Sequence, residues 1–303
     1  MSSESIAVRA MTTATGLVRE MRPHQWYKQG VLLLGIVFAE RIFDLAAWVD
    51  VLVAVAAFTA VAGAAYIFND ISDVEEDRKH PRKRHRPIAS GQVPIPVAAG
   101  FAVVLFVGGL TAAASVNLLV LAVLLAYLGQ NVIYSLFLKE VVLVDVLVVA
   151  IGFVLRAIAG VVAIGAFLSP WLILCTFLLA LVLVLGKRRH ELDSVADPEA
   201  SRATLAAYSR QELDQLLVVS MASLLMAYAL YTFFRADPVM MVTLPFAIYG
   251  IFRYHFLVHT TSIAGTPEYL LTDRPSMINL ALWTATVLLV LYGVPEYLAG
   301  VIL

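Results

Sequence analysis

The residues from position 87 to position 138 form a run of 52 that contains no Asp, Glu, Lys or Arg. A helix that crosses the hydrocarbon core of a bilayer needs about 20 predominantly apolar residues. The run is therefore long enough for two crossings, with a turn near Ser115 and Asn117. Two further uncharged runs, at 157–186 and 215–234, each fit one crossing. This pattern predicts a chain that passes through a membrane several times.

The composition supports this interpretation. Of the 303 residues, 61% are hydrophobic and 14% are charged, and the mean hydropathy is +0.87. A water-soluble domain of this size could not bury so much apolar surface. We predict an all-α, polytopic membrane protein with about nine transmembrane helices. The predicted spans are 26–43, 47–68, 95–114, 117–137, 141–165, 170–186, 215–234, 238–258 and 277–300.

The domain organisation follows from these spans. We expect one transmembrane domain over 1–303, which begins with a flexible cytoplasmic N-terminus at 1–21. The first span is the weakest, because Glu40 and Arg41 shorten it. We expect no cleaved leader, since no short charged and hydrophobic signal precedes that span. The single Cys175 excludes an intrachain disulfide.

Basic residues fall in alternate connections between the spans, which predicts that these connections lie in the cytoplasm. The acidic and basic residues are concentrated together in two long inner loops, roughly 69–94 and 187–214. Chemistry is therefore expected at the cytoplasmic face of a cell (plasma) membrane. The lipid bilayer is a partner of this chain, no feature predicts a nucleic-acid partner, and assembly into a homo-oligomer is left open.

Carboxylates cluster at the end of the second span, at Asn69, Asp70, Asp73 and Asp77. If the helix continues, Asn69, Asp73 and Asp77 lie at i, i+4 and i+8, with Asp70 beside them. Like charges at this spacing repel unless a cation lies among them, and hard oxygen ligands suit Mg²⁺, which is usually completed by water and phosphate oxygens. We predict a magnesium site at these four residues. The alternative is a solvated acidic helix end.

A basic run follows immediately, with six Lys or Arg residues between Arg78 and Arg86. The cations nearest Asp77 are the better candidates for phosphate contacts, and we assign substrate binding to Arg82 and Lys83. Arg84 and Arg86 are expected at most to orient the loop. The alternative for the whole run is a positive-inside anchor or a contact with anionic lipid.

Two motifs resemble a known family. Asn69-Asp70-x-x-Asp73-x-x-x-Asp77 matches the signature of the UbiA prenyltransferase superfamily, in the position where that family carries it. The heptapeptide at 22–28, RPHQWYK, together with RKRHRPIASG at 82–91, resembles the decaprenyl-phosphate phosphoribosyltransferase branch. The resemblance implies a UbiA-type helical bundle with its active site at the cytoplasmic face.

The resemblance also implies the reaction. Members of that branch transfer a 5-phosphoribosyl group from phosphoribosyl pyrophosphate to decaprenyl (polyprenyl) phosphate with Mg²⁺, and they release pyrophosphate. The product leads to the lipid-linked arabinose donor for mycobacterial-type cell-wall arabinan. On this likeness we predict Asp73, Asp77, Lys28, Tyr134 and Lys139 as catalytic residues. Gln25 and Asn69 are predicted to bind substrate. For Tyr134 and Lys139 the alternative is an interfacial snorkelling pair.

Other cations depart from the family pattern or lie within the membrane. Lys187 and Arg188 stand where UbiA members carry a second acidic motif, and two phosphorylated substrates in one pocket need such additional positive charge. Arg156 lies well inside the fifth span, where a charge is expensive and normally faces a wet cavity or an ion-pair partner. We predict that all three bind substrate. For Arg156 the alternative is a structural ion pair, and Asp145 is the nearest acid in sequence.

Three other functions compete with this one. An ordinary UbiA enzyme would move a prenyl group to an aromatic or quinone precursor, but the cations at 187–189 argue against it. A transporter would carry charged or broken helices near the midplane of two related halves, whereas most charges here lie towards one face. A scaffold without chemistry would not predict carboxylates at ligand spacing followed by cations.

Overall fold

The computed structural model describes residues 3–81, 83–194, 203–234, 236, 238–260 and 267–293. These residues form helices and no strand. The α-helices are α1 (Ser3–Glu20), α2 (Leu34–Phe38), α3 (Leu45–Ser72), α4 (Val74–Lys79), α5 (Ile95–Val116), α6 (Leu118–Leu136), α7 (Val144–Ala163), α8 (Pro170–Ser194), α9 (Ala203–Ala206), α10 (Arg210–Phe234), α11 (Leu244–Thr260) and α12 (Arg274–Leu291). Short 3₁₀ helices lie at Pro23–Leu33, Lys83–His85, Leu138–Glu140, Pro238–Thr243 and Pro267–Leu271.

Eight helical segments in the described part of the chain are long and apolar enough to cross a membrane. They are α3, α5, α6, α7, α8, α10 and α12, and α11 together with the 3₁₀ helix before it. Large apolar side chains remain exposed along these helices, as expected where lipid is the solvent. The prediction of an all-α, multi-pass membrane protein is confirmed.

The first predicted span, 26–43, does not form one long α-helix. It consists of the 3₁₀ helix Pro23–Leu33 followed by the five-residue α2. The segment ends near Glu40, which has a left-handed backbone with φ 58°. A 3₁₀ helix rises about 2.0 Å per residue, so its residues reach further than the same number in an α-helix. The remaining eight predicted spans each coincide with a long helical segment, so the count of about nine is approximate.

The N-terminal region at 1–21, which we predicted to be flexible, contains helix α1. The backbone of α1 packs closely at Gly16, where an added Cβ would lie 2.6 Å from Val93. Gln92 donates a hydrogen bond to the Thr12 carbonyl at 2.9 Å, and Glu20 accepts one from the Ile88 amide at 2.8 Å. These contacts tie α1 to the segment before α5, which its local sequence could not reveal.

The chain divides into two compact units. The first comprises residues 1–36, 42–128 and 159–166, and the second comprises 37–41, 129–158 and 167–303. The predicted loop at 187–214 lies in the second unit and is partly helical, since α8 continues to Ser194 and α10 begins at Arg210.

Small residues bring helices close together in the first unit. Helix α5 presents Ala98, Ala102 and Gly109 on one buried face towards α3. Lipid supplies no hydrophobic force between membrane helices, so close packing of small residues must hold them. The closest approach lies between Gly160 and Leu32, where an added Cβ would overlap the Leu32 carbonyl oxygen.

In the second unit, α8 packs against α10 through a core that includes Leu185, Leu213 and Leu217. Helices α11 and α12 are joined by an ion pair in which Arg253 donates to both oxygens of Asp273, at 3.1 and 2.8 Å. Asp273 also caps α12 by accepting from the Ser276 amide. These interactions, led by the hydrogen bond from Arg253, hold the pKa of Asp273 well below its usual range.

The contact at Gly160 generates a prediction about stability. Gly160→Ala is expected to destabilise the protein by about 1–3 kcal/mol, because the new methyl group meets a backbone atom that cannot rotate away. Gly108→Ala is the matched control, since nothing lies within 4 Å of a Cβ at that helical position. Thermal unfolding of the detergent-solubilised variants measures the difference. Equal melting temperatures for the two variants would contradict the close packing described here.

Candidate active site

The acidic motif does not lie on one continuous helix. Helix α3 ends at Ser72, Asp73 leaves helical geometry with φ −92° and ψ 7°, and α4 begins at Val74. This break changes which side chains share a face. Asp70 and Asp77 are buried, at 2% and 1% exposure, whereas Asn69 and Asp73 are exposed. The expected grouping of Asn69 with Asp73 and Asp77 at i, i+4 and i+8 is therefore replaced by a buried pair of carboxylates.

Cations neutralise the buried carboxylates. The Nη1 atom of Arg86 lies 2.8 Å from Asp70 Oδ1 and 2.6 Å from Asp77 Oδ2, so one guanidinium bridges both. Arg22 donates a second hydrogen bond to Asp70 Oδ1 at 2.8 Å. Lys83 Nζ lies 3.8 Å from Asp77 Oδ1. A buried carboxylate is costly unless it is paired, so these cations are what allow two acids to lie here together.

Other features besides the ion pair with Asp70 fix the position of Arg22. Its backbone is left-handed at φ 53°, and its guanidinium lies 4.5 Å from the centre of the Tyr66 ring. The Tyr66 hydroxyl donates to Gln25 Oε1 at 3.0 Å, and Lys28 Nζ donates to the same oxygen at 3.0 Å. Two predicted residues, Gln25 and Lys28, thus lie together near Arg22.

Glu20 adds a third carboxyl group. It is buried, and it forms a hydrogen bond with Asp70 in addition to the one it accepts from Ile88. Burial, followed by the hydrogen bond to Asp70, raises the pKa of Glu20 to about 7. Asp70 Oδ2 is buried and accepts no hydrogen bond from an amide, hydroxyl or guanidinium group in the described part of the chain. A protonated Glu20 can donate a hydrogen bond to the Asp70 carboxylate.

A cavity of about 560 Å³ opens beside these groups. Its walls combine the buried acids with several basic side chains, so a phosphorylated ligand would meet positive charge and a carboxylate together. The lining residues are Arg19, Glu20, Arg22, Pro23, His24, Gln25, Asp70, His85, Arg86 and Pro87.

The donor set fits a magnesium ion that is bound together with phosphate. No group of three His, Cys, Asp or Glu side chains in the described ranges is placed to enclose a metal by itself. Magnesium is commonly held by one or two carboxylates, with water and phosphate oxygens in the remaining positions. Asp70 and Asp77 supply two carboxylates, and Asp70 Oδ2 has no amide, hydroxyl or guanidinium donor.

A second cluster of predicted residues lies in the second unit. Arg188 is buried and donates to Asp145 Oδ2 at 3.0 Å and to Glu191 Oε2 at 2.7 Å. Lys187 Nζ lies 3.8 Å from Glu191 Oε1, and its side chain is 46% exposed. Tyr134 is near enough to Arg188 to interact with it electrostatically. Arg188 is therefore already compensated by acids, whereas Lys187 is accessible.

The remaining predicted residues lie elsewhere. Lys139 is exposed on the 3₁₀ helix Leu138–Glu140. Arg156 is buried, donates to the Gly152 carbonyl at 2.9 Å and lies 5.4 Å from the Phe153 ring. The ion pair considered for Arg156 would use Asp145, but that carboxylate is engaged by Arg188. Arg82 lies outside the described residues.

Several residues at these clusters were not predicted as site residues from the sequence. Arg22 stands inside the heptapeptide motif and Arg86 closes the basic run, so a search for arginines beside the acidic motif would have found both. Glu20, Tyr66 and Tyr208 carry no such signal, since only folding brings them to their partners.

Comparison with known proteins agrees with the geometry. The family model described as the UbiA prenyltransferase family matches residues 31–268. The chain is 34% identical over 297 residues to a protein of Mycobacterium tuberculosis named decaprenyl-phosphate phosphoribosyltransferase, covering 95% of this chain and 98% of the relative. It is 32% identical over 296 residues to the protein of that name from Corynebacterium glutamicum, covering 94% and 89%.

The fold is also similar to solved structures. A UbiA homologue from Archaeoglobus fulgidus, bound to GPP and Mg²⁺, has a TM-score of 0.69 and 20% sequence identity. The similarity covers 91% of this chain and 99% of that one. At this identity the likeness concerns the fold.

The raised pKa of Glu20 predicts how stability depends on pH in metal-free protein. The folded state keeps a proton that the unfolded state loses between 4.5 and about 7, so stability falls as pH rises through this window. Glu20→Gln mimics the protonated form, because its amide can still accept from Ile88 and donate to Asp70. We expect the melting temperature of the variant to fall less than that of the wild type between about pH 5 and about pH 8.

Thermal unfolding in detergent with a chelator measures this difference. Glu76→Gln, an exposed position on α4, is the control. Wild-type and Glu20→Gln curves that stay parallel across the window would show that Glu20 has no raised pKa.

Proposed function

Because the chain belongs to the UbiA prenyltransferase family, we propose that it is a magnesium-dependent phosphoribosyltransferase of the membrane. It transfers a 5-phosphoribosyl group from phosphoribosyl pyrophosphate to decaprenyl phosphate, or another polyprenyl phosphate, and releases pyrophosphate. The observation that carries this proposal is the cavity in which buried Asp70 meets Arg22 and Arg86, with buried Asp77 paired to the same Arg86. Similarity along nearly the whole chain to proteins named decaprenyl-phosphate phosphoribosyltransferase supports the choice of substrates.

The donor diphosphate would bind in this cavity. Asp70 and Asp77 would hold Mg²⁺, with Asn69 and Asp73 as further oxygen ligands on the exposed side of the motif. Bound magnesium would neutralise the negative charge that develops on departing pyrophosphate. Arg22, Arg86 and Lys83 pair with carboxylates, and they would exchange these for phosphate oxygens when the diphosphate enters. Charge-assisted hydrogen bonds of this kind are the stronger ones in proteins.

The reaction needs positioning more than it needs a base. The bond between the anomeric carbon of the ribose and the pyrophosphate oxygen breaks, and a bond to an oxygen of the lipid phosphate forms. A phosphate monoester has a second pKa of about 6, so this oxygen is already ionised at neutral pH. The carboxylates therefore serve as ligands and not as general bases. Gln25 and Lys28, held together by Tyr66, would orient the phosphates.

The proposal also gives roles to the predicted residues of the second unit. Lys187, Tyr134, Lys139 and Arg156 would contact phosphate groups of the substrates. Arg188 was predicted to do so too, but taking it from Asp145 would leave a buried carboxylate without its cation, at a cost of about 3–5 kcal/mol. Lys187 is therefore the better phosphate ligand of the two.

We also infer the cellular setting. The distribution of basic residues supports a site that lies at the plasma membrane and faces the cytoplasm. The cell would have an envelope built from polyprenyl-linked precursors. The product would serve as precursor of the lipid-linked arabinose donor for cell-wall arabinan.

The acceptor can be identified directly. Purified protein with Mg²⁺ and radiolabelled phosphoribosyl pyrophosphate is expected to transfer label into the organic phase when decaprenyl phosphate is present. A parallel reaction contains a prenyl diphosphate and an aromatic acceptor, and no prenylated product is expected. A prenylated aromatic product, without a labelled lipid, would contradict the proposal in favour of ordinary UbiA chemistry.

The carboxylates can be tested by substitution. Asp77→Asn is expected to lower kcat/KM by about 100-fold or more, because it removes charge that is needed to hold the metal and diphosphate. Glu75→Gln alters the same acidic run at a side chain that is 74% exposed and is expected to keep nearly full activity. Activity at several magnesium concentrations, with melting temperatures to verify folding, measures the effect. Full turnover of the wild type in excess chelator would contradict the role assigned to magnesium.

A further inference from the structure

A buried ion pair joins the ends of two membrane helices in the second unit. Asp145, in the first turn of α7, is 0% exposed, and Arg188, near the end of α8, is 3% exposed. Their closest atoms, Arg188 Nε and Asp145 Oδ2, are 3.0 Å apart. A buried ion pair often adds little stability because both charges lose their hydration, but it fixes the geometry of the groups around it.

Tyr208 extends the ion pair to a third segment of chain. Its hydroxyl donates to Asp145 Oδ1 at 3.1 Å and accepts from the Leu143 amide at 2.7 Å. Burial raises the pKa of Tyr208 to about 12, so the hydroxyl keeps its proton at neutral pH and can donate. Leu143 has a left-handed backbone at φ 66°, a conformation that leucine rarely adopts and that the surrounding contacts must maintain.

The network reaches two exposed lysines. Leu143 lies four residues after Lys139, which stands on the 3₁₀ helix Leu138–Glu140. On the other side, Arg188 shares the carboxylate of Glu191 with Lys187, which directly precedes it in sequence. Tyr208 therefore connects the backbone that carries one lysine to the ion pair that neighbours the other.

We propose that Tyr208 is a positioning residue which, through Leu143 and the Asp145–Arg188 pair, orients Lys139 and Lys187 towards a phosphate group of a substrate. This inference rests on the proposed function, because it requires phosphorylated substrates. It gives Arg188 a supporting role, since that guanidinium is surrounded by acids and holds the geometry of its neighbours. The phosphate belongs to the ribosyl donor or to the lipid acceptor, and separate kinetic measurements distinguish the two.

Tyr208→Phe removes one oxygen and keeps the ring. The Leu143 amide and one oxygen of Asp145 then lose their shared partner, so the segment that carries Lys139 is no longer fixed. We expect KM for one phosphorylated substrate to rise about tenfold while kcat changes less than about threefold, the pattern of lost ground-state binding. The affected KM, measured for phosphoribosyl pyrophosphate and for decaprenyl phosphate in turn, identifies the substrate.

Tyr228→Phe is the matched control. Tyr228 is also in the second unit, and its hydroxyl forms hydrogen bonds with Thr243 and Trp283, away from the cluster around Asp145. It is expected to lower the melting temperature without changing either KM. If both tyrosine variants alter KM equally, Tyr208 acts through general stability and the proposal is overturned.

A double-mutant comparison tests the connection to the lysine. If Tyr208 acts through Lys187, the KM of Tyr208→Phe/Lys187→Gln will equal that of Lys187→Gln within about twofold. If the KM increases of the two single variants multiply in the double variant, Tyr208 does not act through Lys187. The same comparison with Lys139→Gln tests whether Tyr208 acts through Lys139. The proposal is overturned if both pairs multiply.

Binding without turnover separates this inference from the proposed function. Calorimetry with magnesium pyrophosphate and, separately, with a short-chain polyprenyl phosphate measures Kd for wild type and Tyr208→Phe. If the wild type transfers no ribosyl group, the proposed reaction fails, yet a weaker Kd in Tyr208→Phe alone would still support the positioning role. An unchanged Kd for both ligands would overturn it.

Discussion

Burying two carboxylates near the end of a membrane helix is costly unless positive charge lies beside them. This requirement organises the first unit around Asp70 and Asp77, which are bridged by Arg86 and supported by Arg22. The arrangement brings together four segments of the chain. They are the start of the 3₁₀ helix Pro23–Leu33, the end of α3, helix α4 and the basic run between Arg78 and Arg86. In the proposed function, the same charges that stabilise the folded chain would be redistributed when a metal and a diphosphate enter, so folding and ligand binding would use one set of interactions.

The second unit uses the opposite arrangement, with an arginine among acids. Arg188 is enclosed by Asp145 and Glu191, and Tyr208 adds a hydrogen bond to Asp145. Lys187 therefore remains as the accessible cation beside a rigid ion pair. In both clusters an arginine defines the geometry, because the planar guanidinium fixes the positions of the carboxylates that it binds.

Much of the fold and part of the site could be predicted from the sequence. Eight of the predicted spans coincide with long apolar helical segments, because the bilayer imposes a minimum apolar length. Gln25 and Lys28 were predicted together from one heptapeptide and contact each other. The break at Asp73 was not predicted, since a helical spacing carries no information about where a turn will interrupt it. Arg86 was expected only to orient its loop, because its contact with two acids depends on how that loop folds back.

By itself the sequence determined that the chain is a multi-pass helical membrane protein with acidic and basic groups concentrated near its helix ends. It did so through the length of its apolar runs and the positions of its charged residues. Both are local properties that can be read along the chain. Only the tertiary structure decided which polar side chains meet. Glu20 and Asp70 are 50 positions apart in the sequence. Tyr208 and Asp145 are 63 positions apart. Such pairs form where packing brings distant parts of the backbone together, and no local sequence pattern predicts them.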